Sequence, residues 1–387
     1  MQKRNSKGNK GGYMDKITIG DEFIGKEQNE RETCFGILYE NHNFKCVKIK
    51  DEVSLIGGGV EENETLQETL KREFQEEAGL FINVKKELYQ IDCYWKTKDD
   101  IIMHSIANIF EVEEIGKTDI TEDNAELVEY SADEVLDYLP LPYHKKAIKE
   151  FLKIPTVIED TYKNISITVA EPKLNFENIL IYVHGLGSSS EMIQRFARKL
   201  CKEKTAICAF DLPAHGKDNN SFEKFSLTNS LIYLDNVISY VNNKYVGCKI
   251  TLFGSSYGAY VILNKLKKEA GFSAILMSPA INFPDILKEK GNINDEYYLN
   301  HEYKELYGDV KIYKDAFLEF CSHDVNEKND NFVNVRIIHG TDDKTVDISI
   351  AIDFAKKNNI DLKIIDNEVH ELYSSNSIIV DYIKENI

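Results

Sequence analysis

The chain has 387 residues, of which 42% are apolar and 29% charged, and its formal net charge is −18. At ~100–200 residues per domain, this length predicts two or three domains of an ordinary globular protein. Such an acidic chain argues against a duplex-binding surface, which needs clustered Lys and Arg. No apolar run reaches the ~18 residues that a membrane span needs. We therefore expect neither a nucleic acid nor a membrane as partner, and composition leaves the oligomeric state open.

Cysteine usage and the N-terminus point to a cytoplasmic protein. The N-terminus lacks the apolar core of a signal peptide. The cysteines are odd in number, widely spaced and without a CxxC pair: Cys34, Cys46, Cys93, Cys201, Cys208, Cys248 and Cys321. Most of them sit in apolar runs, so they are expected to be reduced core residues and not disulfides or metal ligands.

The first part of the chain predicts a disordered extension followed by a mixed domain. Residues 1–14 are basic and rich in Gly, Asn and Lys, so we expect disorder there. Residues 15–155 form the first predicted domain, which ends near Pro155. The elements predicted in it are the strands Cys34–Tyr39, Phe44–Ile49, Leu88–Tyr94 and Ile101–Val112 and the helices Thr65–Ala78 and Tyr143–Lys153.

From residue 156 onward, short apolar runs alternate with helical patterns. The predicted strands are Ile179–Val183, Ala206–Phe210, Ile250–Phe253, Ala274–Met277, Val335–His339 and Leu362–Ile365. The predicted helices include Met192–Lys202, Leu227–Val241 and Ile348–Lys356. Such alternation predicts a mostly parallel sheet covered on both faces. The charged, tyrosine-rich segment at about 283–332 interrupts the pattern and predicts an inserted cap.

Three carboxylates follow a glycine-rich stretch in the first domain. Glu73, Glu76 and Glu77 are spaced i, i+3 and i+4, which places them on one face of the predicted helix. Like charges this close repel one another unless a cation neutralises them, and hard oxygen ligands suit Mg²⁺ or Mn²⁺. A solvated acidic helix face would give the same spacing, so the carboxylates alone do not decide between a metal site and an ordinary surface.

The wider pattern around these carboxylates resembles the Nudix box, G-x5-E-x7-R-E-U-x-E-E-x-G-U. Its fixed positions are filled by Gly58, Glu64, Arg72, Glu73, Glu76, Glu77 and Gly79. Leu80 fills the last apolar position, and Phe74 departs from the smaller aliphatic residue usual there. The resemblance covers about residues 31–153 and implies an α/β/α sandwich with a mixed sheet.

The resemblance to the Nudix box also implies roles for its residues. Glu73, Glu76 and Glu77 would hold Mg²⁺ or Mn²⁺ on a nucleoside diphosphate linked to another group. Glu64 and Arg72 would form a salt bridge that shapes the loop, and Gly58 and Gly79 would be structural. A carboxylate outside the box often assists, and Glu126 or Glu122 could do so, although each could equally be surface charge.

A second motif lies in the C-terminal part of the chain. Gly254-Ser255-Ser256-Tyr257-Gly258 reads G-x-S-x-G between a predicted strand and a helical run, as a strained nucleophile turn requires. Asp343 follows a later strand, with Asp342 as a weaker acid candidate, and His370 follows the last strand. The chain order Ser256, Asp343, His370 predicts a nucleophile, an orienting acid and a base.

Two upstream loops extend this pattern, and together the landmarks resemble the α/β-hydrolase family over about residues 161–387. The loop at 184–187, His-Gly-Leu-Gly, resembles the oxyanion loop, so Leu186 and Tyr257 are the expected backbone donors. The loop at 211–216 resembles the structural D-x-P-x-H-G loop. The resemblance implies hydrolysis of an ester or amide by residues 156–387.

The leading hypothesis is a bifunctional hydrolase with small-molecule substrates, a nucleotide derivative and an ester or amide. The alternative keeps one domain catalytic and makes the other a nucleotide- or ligand-sensing module. A third hypothesis, a protein with no catalytic role, fits two complete motifs poorly. The sequence does not name the substrates of either domain.

Overall fold

The structure, a computed structural model, describes residues 15–387 apart from 23–27, 97–99, 119–124, 203, 295 and 307–308. The expected disorder of residues 1–14 lies outside the described residues. The chain divides into two compact units, an N-terminal unit of residues 1–152 and a C-terminal unit of residues 153–387. Among the described helices, none is long and apolar enough to cross a membrane.

The N-terminal unit is built on a mixed sheet. Its described strands are β1 Asp15–Ile19, β2 Asn29–Glu40, β3 Asn43–Ile49, β4 Glu52–Ser54, β5 Ile56–Gly59, β6 Leu80–Lys96, β7 Ile102–Lys117 and β8 Ala125–Ser131. The sheet runs β1-β6-β7-β2-β3-β4, with β5 beside β2 and β8 beside β3. The pairs β1–β6 and β2–β7 are parallel, and the long β6–β7 pair is antiparallel.

Helices cover both faces of this sheet. They are α1 Leu66–Ala78, α2 Val135–Tyr138 and α3 Pro142–Phe151. Along β2, Cys34 and Leu38 share a core cluster with Phe74 of α1. The alternate residues Phe35 and Tyr39 pack edge-to-face against rings of α3. Because side chains alternate between the faces of a strand, α1 and α3 lie on opposite faces. The predicted α/β/α sandwich is confirmed.

The C-terminal unit carries a second, mostly parallel sheet. Its described strands are β9 Thr156–Tyr162, β10 Ile165–Glu171, β11 Asn178–Val183, β12 Thr205–Phe210, β13 Lys249–Ser255, β14 Ser273–Met277, β17 Val335–Gly340 and β18 Asp361–Ile365. They lie in the order β18-β17-β14-β13-β11-β12-β10-β9. The pairs β9–β10 and β10–β12 are antiparallel, and every other pair of neighbours is parallel.

Both faces of this sheet are buried. The described helices of the unit are α4 Gln194–Lys202, α5 Leu227–Lys244, α6 Tyr257–Lys268, α7 Phe283–Glu289, α8 Lys314–Cys321, α9 Ile348–Asn358 and α10 Asn376–Glu385. Along β11, Ile179 and Ile181 belong to the core shared with α5 and α6. Leu180 and Tyr182 belong to the core shared with α4 and α10. The predicted α/β fold class, with one mixed and one mostly parallel sheet, is confirmed.

The segment between β14 and β17, residues 283–332, is here named the cap segment. It contains α7, α8 and a short hairpin, β15 Tyr303–Glu305 with β16 Lys311–Tyr313. The rings of Phe283 and Phe320 pack on those of Tyr257 and Tyr260. Glu319 accepts hydrogen bonds from the first backbone N–H groups of α5, at 2.9 and 3.0 Å. The cap segment is therefore anchored to the helix that follows Ser256 and to the start of α5.

The seven cysteines are all free thiols. Five are buried, and burial raises the pKa of both Cys34 and Cys46 to about 12, which keeps these thiols neutral. Cys248 is half-buried, and Cys321 is exposed because it is the last residue of α8. Cys321 thus departs from the core position expected for it.

Candidate active sites

The carboxylate helix α1 has well-defined ends. At its start, Thr65 Oγ1 accepts from the N–H of Glu68 at 3.3 Å, and the Glu68 carboxylate accepts from the Thr65 N–H at 2.8 Å. This capping box fixes where the helix begins. At its end, Gly79 adopts φ 64°, a left-handed conformation that favours glycine. Gly79 of the motif is thus explained by its position at the end of the helix.

Glu64 and Arg72 form a two-pronged ion pair. Arg72 Nε donates to Glu64 Oε1 at 2.8 Å and Nη2 donates to Oε2 at 3.1 Å. The same Nη2 also donates to the Gly59 carbonyl at 3.3 Å. Hydrogen bonding by Arg72 is the main cause that lowers the pKa of Glu64 to about 2. This geometry ties the glycine loop to α1, which is the shaping role the resemblance implies for the pair.

The three other carboxylates of the motif converge on the same region. Arg72 Nη1 donates to Glu73 Oε1 and to Glu76 Oε2, each at 3.0 Å. Because both oxygens are 3.0 Å from the same nitrogen, they lie at most about 6 Å apart. Glu77 Oε2 accepts from the N–H of Gly57 at 3.2 Å. The carboxylates therefore gather between Arg72 and the glycine loop.

Gly58 lies against the Glu73 carboxylate. A Cβ at this position would lie 2.4 Å from Glu73 Oε1 and 2.9 Å from Oε2. No real side chain tolerates such a separation, so any residue larger than glycine would displace Glu73. Glycine at this position therefore lets the Glu73 carboxylate lie directly against the loop.

A cavity of about 760 Å³ opens beside this cluster. Its lining includes residues 57–59, Glu73 and Glu77, the basic side chains Arg31 and Lys50, and Tyr143 and His144 from α3. Carboxylates, cations and aromatic rings thus face one space. Such a combination suits a ligand that has phosphate groups and a ring.

The donor set of this cavity fits a divalent cation in its chemistry. Carboxylate oxygens are the ligands that Mg²⁺ prefers. Glu73 and Glu77 line the cavity, whereas Glu76, which shares the Arg72 guanidinium with Glu73, is not among the lining residues. Within the described residues, no three Asp, Glu, His or Cys side chains are spaced to hold a metal ion as they stand. The carboxylates would therefore exchange Arg72 contacts for metal contacts when a cation binds.

The suggested extra carboxylates lie apart from this cavity or outside the described residues. Glu126 is exposed on β8, opposite Lys48 of β3, and is not among the residues that line the cavity. Glu122 lies outside the described residues. The structure therefore does not bring Glu126 to the cavity.

His144 is a buried imidazole whose two ring nitrogens have no hydrogen-bond partner within the described part of the chain. Its ring lies 4.4 Å from that of Phe35 and 4.6 Å from that of Tyr143, centroid to centroid. Burial lowers the pKa of His144 to about 3. The unfolded chain, with an ordinary pKa near 6.5, therefore takes up a proton at a pH where the folded unit does not.

His144→Phe is expected to flatten the acid dependence of stability in the N-terminal unit. A depressed histidine pKa means that stability is full above about pH 6.5 and falls as the pH drops toward 3. From pH 7 to pH 5 the wild type should lose about 2 kcal/mol more of its unfolding free energy than the variant. Urea titrations followed by the fluorescence of Trp95, the one tryptophan, report on this unit. Equal pH slopes in both proteins would contradict the prediction.

In the C-terminal unit, Ser256 occupies a strained turn between β13 and α6. Its backbone has φ 53° and ψ −116°, which is unfavourable for a residue with a Cβ. A Cβ on Gly258 would lie 2.0 Å from the Val183 carbonyl oxygen, and one on Gly254 would lie 2.8 Å from the Ala259 nitrogen. Both glycines of the G-x-S-x-G motif are therefore required by close packing around the turn.

Asp343 holds His370 in a defined orientation. Asp343 Oδ2 accepts from His370 Nδ1 at 2.7 Å, and its Oδ1 accepts from the N–H groups of Thr345 and Val346 at 2.7 and 2.8 Å. An ionised carboxylate can only accept, so His370 Nδ1 carries the hydrogen and Nε2 is left as the acceptor. Asp342, the weaker candidate, is exposed and contacts Thr341 instead.

A second imidazole also contacts Asp343. His339, fully buried at the end of β17, donates from Nε2 to Asp343 Oδ2 at 2.9 Å. Burial raises the pKa of Asp343, but the hydrogen bonds from His339 and His370 outweigh burial and bring it below its ordinary value. The carboxylate therefore stays ionised beside His370 at any physiological pH. The sequence places His339 in the strand before Asp343, but nothing in the sequence indicates this contact.

The loop at 184–187 lies beside the serine. A Cβ on Gly185 would lie 3.2 Å from Ser256 Cβ, which places the following residue, Leu186, next to the nucleophile. Within the described residues, the backbone N–H groups of Leu186 and Tyr257 donate to no backbone or side-chain acceptor. Two free donors next to the serine are what an oxyanion hole requires.

The neighbouring loop at 211–216 supports the loop at 184–187. Asp211 accepts from the N–H groups of Ser190 and Lys217 at 2.6 and 2.9 Å. The Leu212 N–H donates to His184 Nε2 at 3.0 Å. Burial lowers the pKa of His184 to about 4, so this imidazole is neutral and can accept. These contacts give the second loop a structural role.

Two cavities meet at Ser256. The polar cavity, about 340 Å³, is lined by residues that include His370, Glu371, Arg195, Tyr182 and Tyr373. The apolar cavity, about 290 Å³, is lined by residues that include Phe283, Ile286, Leu287, Leu306 and Val346. Ser256, Leu186 and Thr345 line both. Ser256 Oγ and His370 share the polar cavity without a hydrogen bond between them in the described residues, a common state without substrate.

Arg195 of α4 holds the loop that carries His370. Its guanidinium donates to the carbonyls of Glu371 and Leu372 at 3.0 and 3.2 Å, and to Asn376 Oδ1 at 2.6 and 3.2 Å. It also lies 5.0 Å from the ring of Tyr373. Sequence reasoning missed Arg195 because α4 and this loop are about 175 residues apart.

The fold and the two sites define a two-domain enzyme of the hydrolase class. Comparison with known families agrees: residues 37–153 match the NUDIX domain model, and residues 175–299 match Hydrolase_4, described as serine aminopeptidase, S33. The chain therefore carries a Nudix domain followed by an α/β-hydrolase domain, and both are hydrolase families.

Solved structures resemble the α/β-hydrolase part. Est1E from Butyrivibrio proteoclasticus, solved with ferulic acid bound, is 21% identical with a TM-score of 0.53, and the match covers 59% of this chain and 98% of that one. A protein from Agrobacterium vitis S4, assigned as a hydrolase, is 17% identical with a TM-score of 0.51, covering 60% and 99%. No curated protein matches the chain. These similarities establish the fold of the C-terminal unit.

Proposed function

We propose that both domains are catalytic, so that the chain is a bifunctional hydrolase. The single observation that carries this is that each domain brings reactive groups of its own motif to a cavity. In one, Asp343 fixes His370 at 2.7 Å in the cavity of a strained Ser256. In the other, Glu73 and Glu77 face one cavity with Arg31 and Lys50. A domain kept only for sensing would not need this set of ionisable groups.

For the C-terminal domain we propose serine-dependent hydrolysis of an ester or amide. His370 Nε2 takes the Ser256 proton as Oγ adds to the carbonyl carbon, and Asp343 keeps the imidazole oriented and stabilises its charge. The N–H groups of Leu186 and Tyr257 stabilise the resulting oxyanion. His370 then gives its proton to the leaving atom, and water releases the acyl group from Ser256 by the reverse sequence.

For the N-terminal domain we propose hydrolysis of a nucleoside diphosphate linked to another group. Glu73, Glu76 and Glu77 would hold Mg²⁺ or Mn²⁺, and such a cation polarises a phosphate and acidifies bound water. Arg31 and Lys50 would bind phosphate oxygens in the same cavity. Tyr143 would lie against the ring of the ligand. Glu64 and Arg72 keep the glycine loop in place, and Glu126, exposed on β8, is proposed only as an accessory carboxylate.

The experiment is one screen of the whole protein with two readouts. Fluorophosphonate labelling should modify Ser256, and labelling should be lost after His370→Ala because the hydroxyl is no longer activated. Phosphate or nucleotide release from a panel of nucleoside diphosphate derivatives should require Mg²⁺ or Mn²⁺. Labelling without any release would favour the alternative in which the Nudix domain senses a nucleotide. If neither labelling nor release is observed, the proposal is overturned for both domains.

A further inference from the structure

The two cavities at Ser256 differ in that His370 lines only one of them, which bears on where the two halves of a substrate would lie. The group that leaves must lie within reach of His370, which protonates it. His370 lines the polar cavity and is not among the residues that line the apolar one. If Ser256 acts as proposed above, the leaving group therefore occupies the polar cavity, and the acyl group occupies the apolar cavity beneath Phe283 and Leu287.

Arg195 brings a half-buried positive charge to the polar cavity. All four of its hydrogen bonds go to neutral oxygens, two carbonyls and the Asn376 amide, so none of them neutralises the charge. A guanidinium has five N–H groups, so one on Nη1 is left over in the described residues. The rings of Phe196 and Tyr373, each 5.0 Å away, hold the group in place.

A cation removed from water without a paired anion is costly, and a ligand that brings the anion removes that cost. Two carboxylates, Glu368 and Glu371, act on Arg195 through their charge, but neither accepts one of its hydrogen bonds in the described residues. Glu368 is buried and accepts from Ser375 Oγ, and Glu371 lines the cavity and contacts Arg195 through its backbone carbonyl. Lys290 and Lys344 line the apolar cavity, but both are exposed at its rim. The partly buried charge of Arg195 is thus on the leaving-group side. The apolar cavity has positive charges only at its exposed rim.

We infer that the C-terminal site takes an ester or amide whose acyl group is apolar and whose leaving group carries a carboxylate or phosphate, bound by Arg195. This assignment rests on the function proposed for Ser256. A charge-assisted contact to Arg195 would position the leaving group next to His370. The anion binds in the ground state and in the transition state alike, so its effect is expected mainly in KM.

The test compares substrates that differ in one charge. The leaving-group pair is 4-acetoxybenzoate and its neutral methyl ester, with 4-acetoxyphenyl phosphate as the phosphate arm. The acyl-side pair is the phenyl monoester of succinate and phenyl butyrate. Rates are expressed as kcat/KM relative to hydroxide-catalysed hydrolysis. Wild type should prefer an anionic leaving group by ~10-fold or more and should disfavour the succinate ester. Comparing the carboxylate and phosphate arms tells which anion is preferred.

Variants assign that preference to Arg195. Arg195→Gln should bring the leaving-group ratio close to one, and Arg195→Lys should retain part of it. Glu371→Gln, which removes the opposing charge without touching Arg195, should increase the ratio. Lys344→Gln, a matched loss of charge at the apolar cavity, should leave the ratio unchanged. Fluorophosphonate labelling of Ser256 in each variant shows whether the nucleophile remains reactive.

Three outcomes overturn the assignment. The first is a wild-type ratio near one while the neutral ester is cleaved and Ser256 is labelled, which leaves the proposed function standing. The second is a preference for the succinate ester over phenyl butyrate, which would mean that the site binds an anionic group on the acyl side. The third is no cleavage and no labelling, which removes the proposed function and this assignment with it. Because the wild-type and Glu371→Gln ratios need no change at Arg195, misfolding of the Arg195 variants does not prevent a decision.

Discussion

Ser256→Ala should lower ester hydrolysis by ~10⁴-fold or more and leave divalent-metal-dependent release from nucleotides unchanged. The reason is geometric: Ser256 is held on a strained turn beside the polar cavity that His370 also lines. Without the hydroxyl no acyl-enzyme can form, and what remains is the contribution of the oxyanion donors and of binding. The measurement is kcat/KM for a p-nitrophenyl ester, together with nucleotide hydrolysis in the same preparation.

The neighbouring serine supplies the control for Ser256→Ala. Ser255 also lines the polar cavity, but it belongs to β13 and not to the turn. Ser255→Ala should retain ester hydrolysis within about tenfold, since it changes the cavity and not the nucleophile. Comparable losses in the two variants would mean that Ser256 has no special role.

Glu73→Gln and Glu76→Gln should each lower metal-dependent phosphate release by ~10²-fold or more while sparing ester hydrolysis. Both carboxylates contact the same nitrogen of Arg72, so each variant removes charge from the place where a cation would bind. The loss should be partly recovered at higher Mg²⁺ concentration, because a weakened ligand set needs more metal for occupancy. The measurement is phosphate release across a Mg²⁺ titration.

The control for the carboxylate variants is Glu62→Gln, an exposed glutamate in the loop before α1. It removes the same charge from the same region without touching Arg72. Trp95 fluorescence during urea unfolding checks that the N-terminal unit remains folded in every variant. If Glu62→Gln raises the Mg²⁺ requirement as much as Glu73→Gln does, the effect is one of general charge and not of a metal site.

The fold class was predictable because the order of apolar and helical segments differs between the units, and only the C-terminal one alternates short apolar runs with helical patterns. The run Ile179–Val183 is apolar throughout and Ile250–Phe253 is interrupted only by Thr251, which is typical of parallel strands covered on both faces. The edge hairpin β9–β10 was not predicted. Its turn is Lys163-Asn164, with φ 49° and 65° at the two residues, and it lacks the glycine that usually marks such a turn. Along β9, exposed and half-buried positions alternate and none is fully buried.

The candidate sites were predictable only where residues lie close together in sequence. The Nudix-like glutamates and the serine turn are local patterns, and chain order alone suggested Asp343 and His370. His339, Arg195 and His144 carry no local signal, because their contacts join distant elements or consist of burial itself. For example, α3 packs His144 against Phe35, where its two ring nitrogens have no partner among the described residues. The roles of all these residues remain predictions for the experiments above.

The sharing of Arg72 among Glu64, Glu73 and Glu76 has a consequence for assembly of the Nudix domain. The guanidinium is an internal counter-ion for these carboxylates, so we expect the acidic helix to fold without a divalent ion. Chelating agents would then abolish the activity of the domain without unfolding it. The magnesium concentration in the cell would determine the activity of the Nudix domain and not the amount of folded protein.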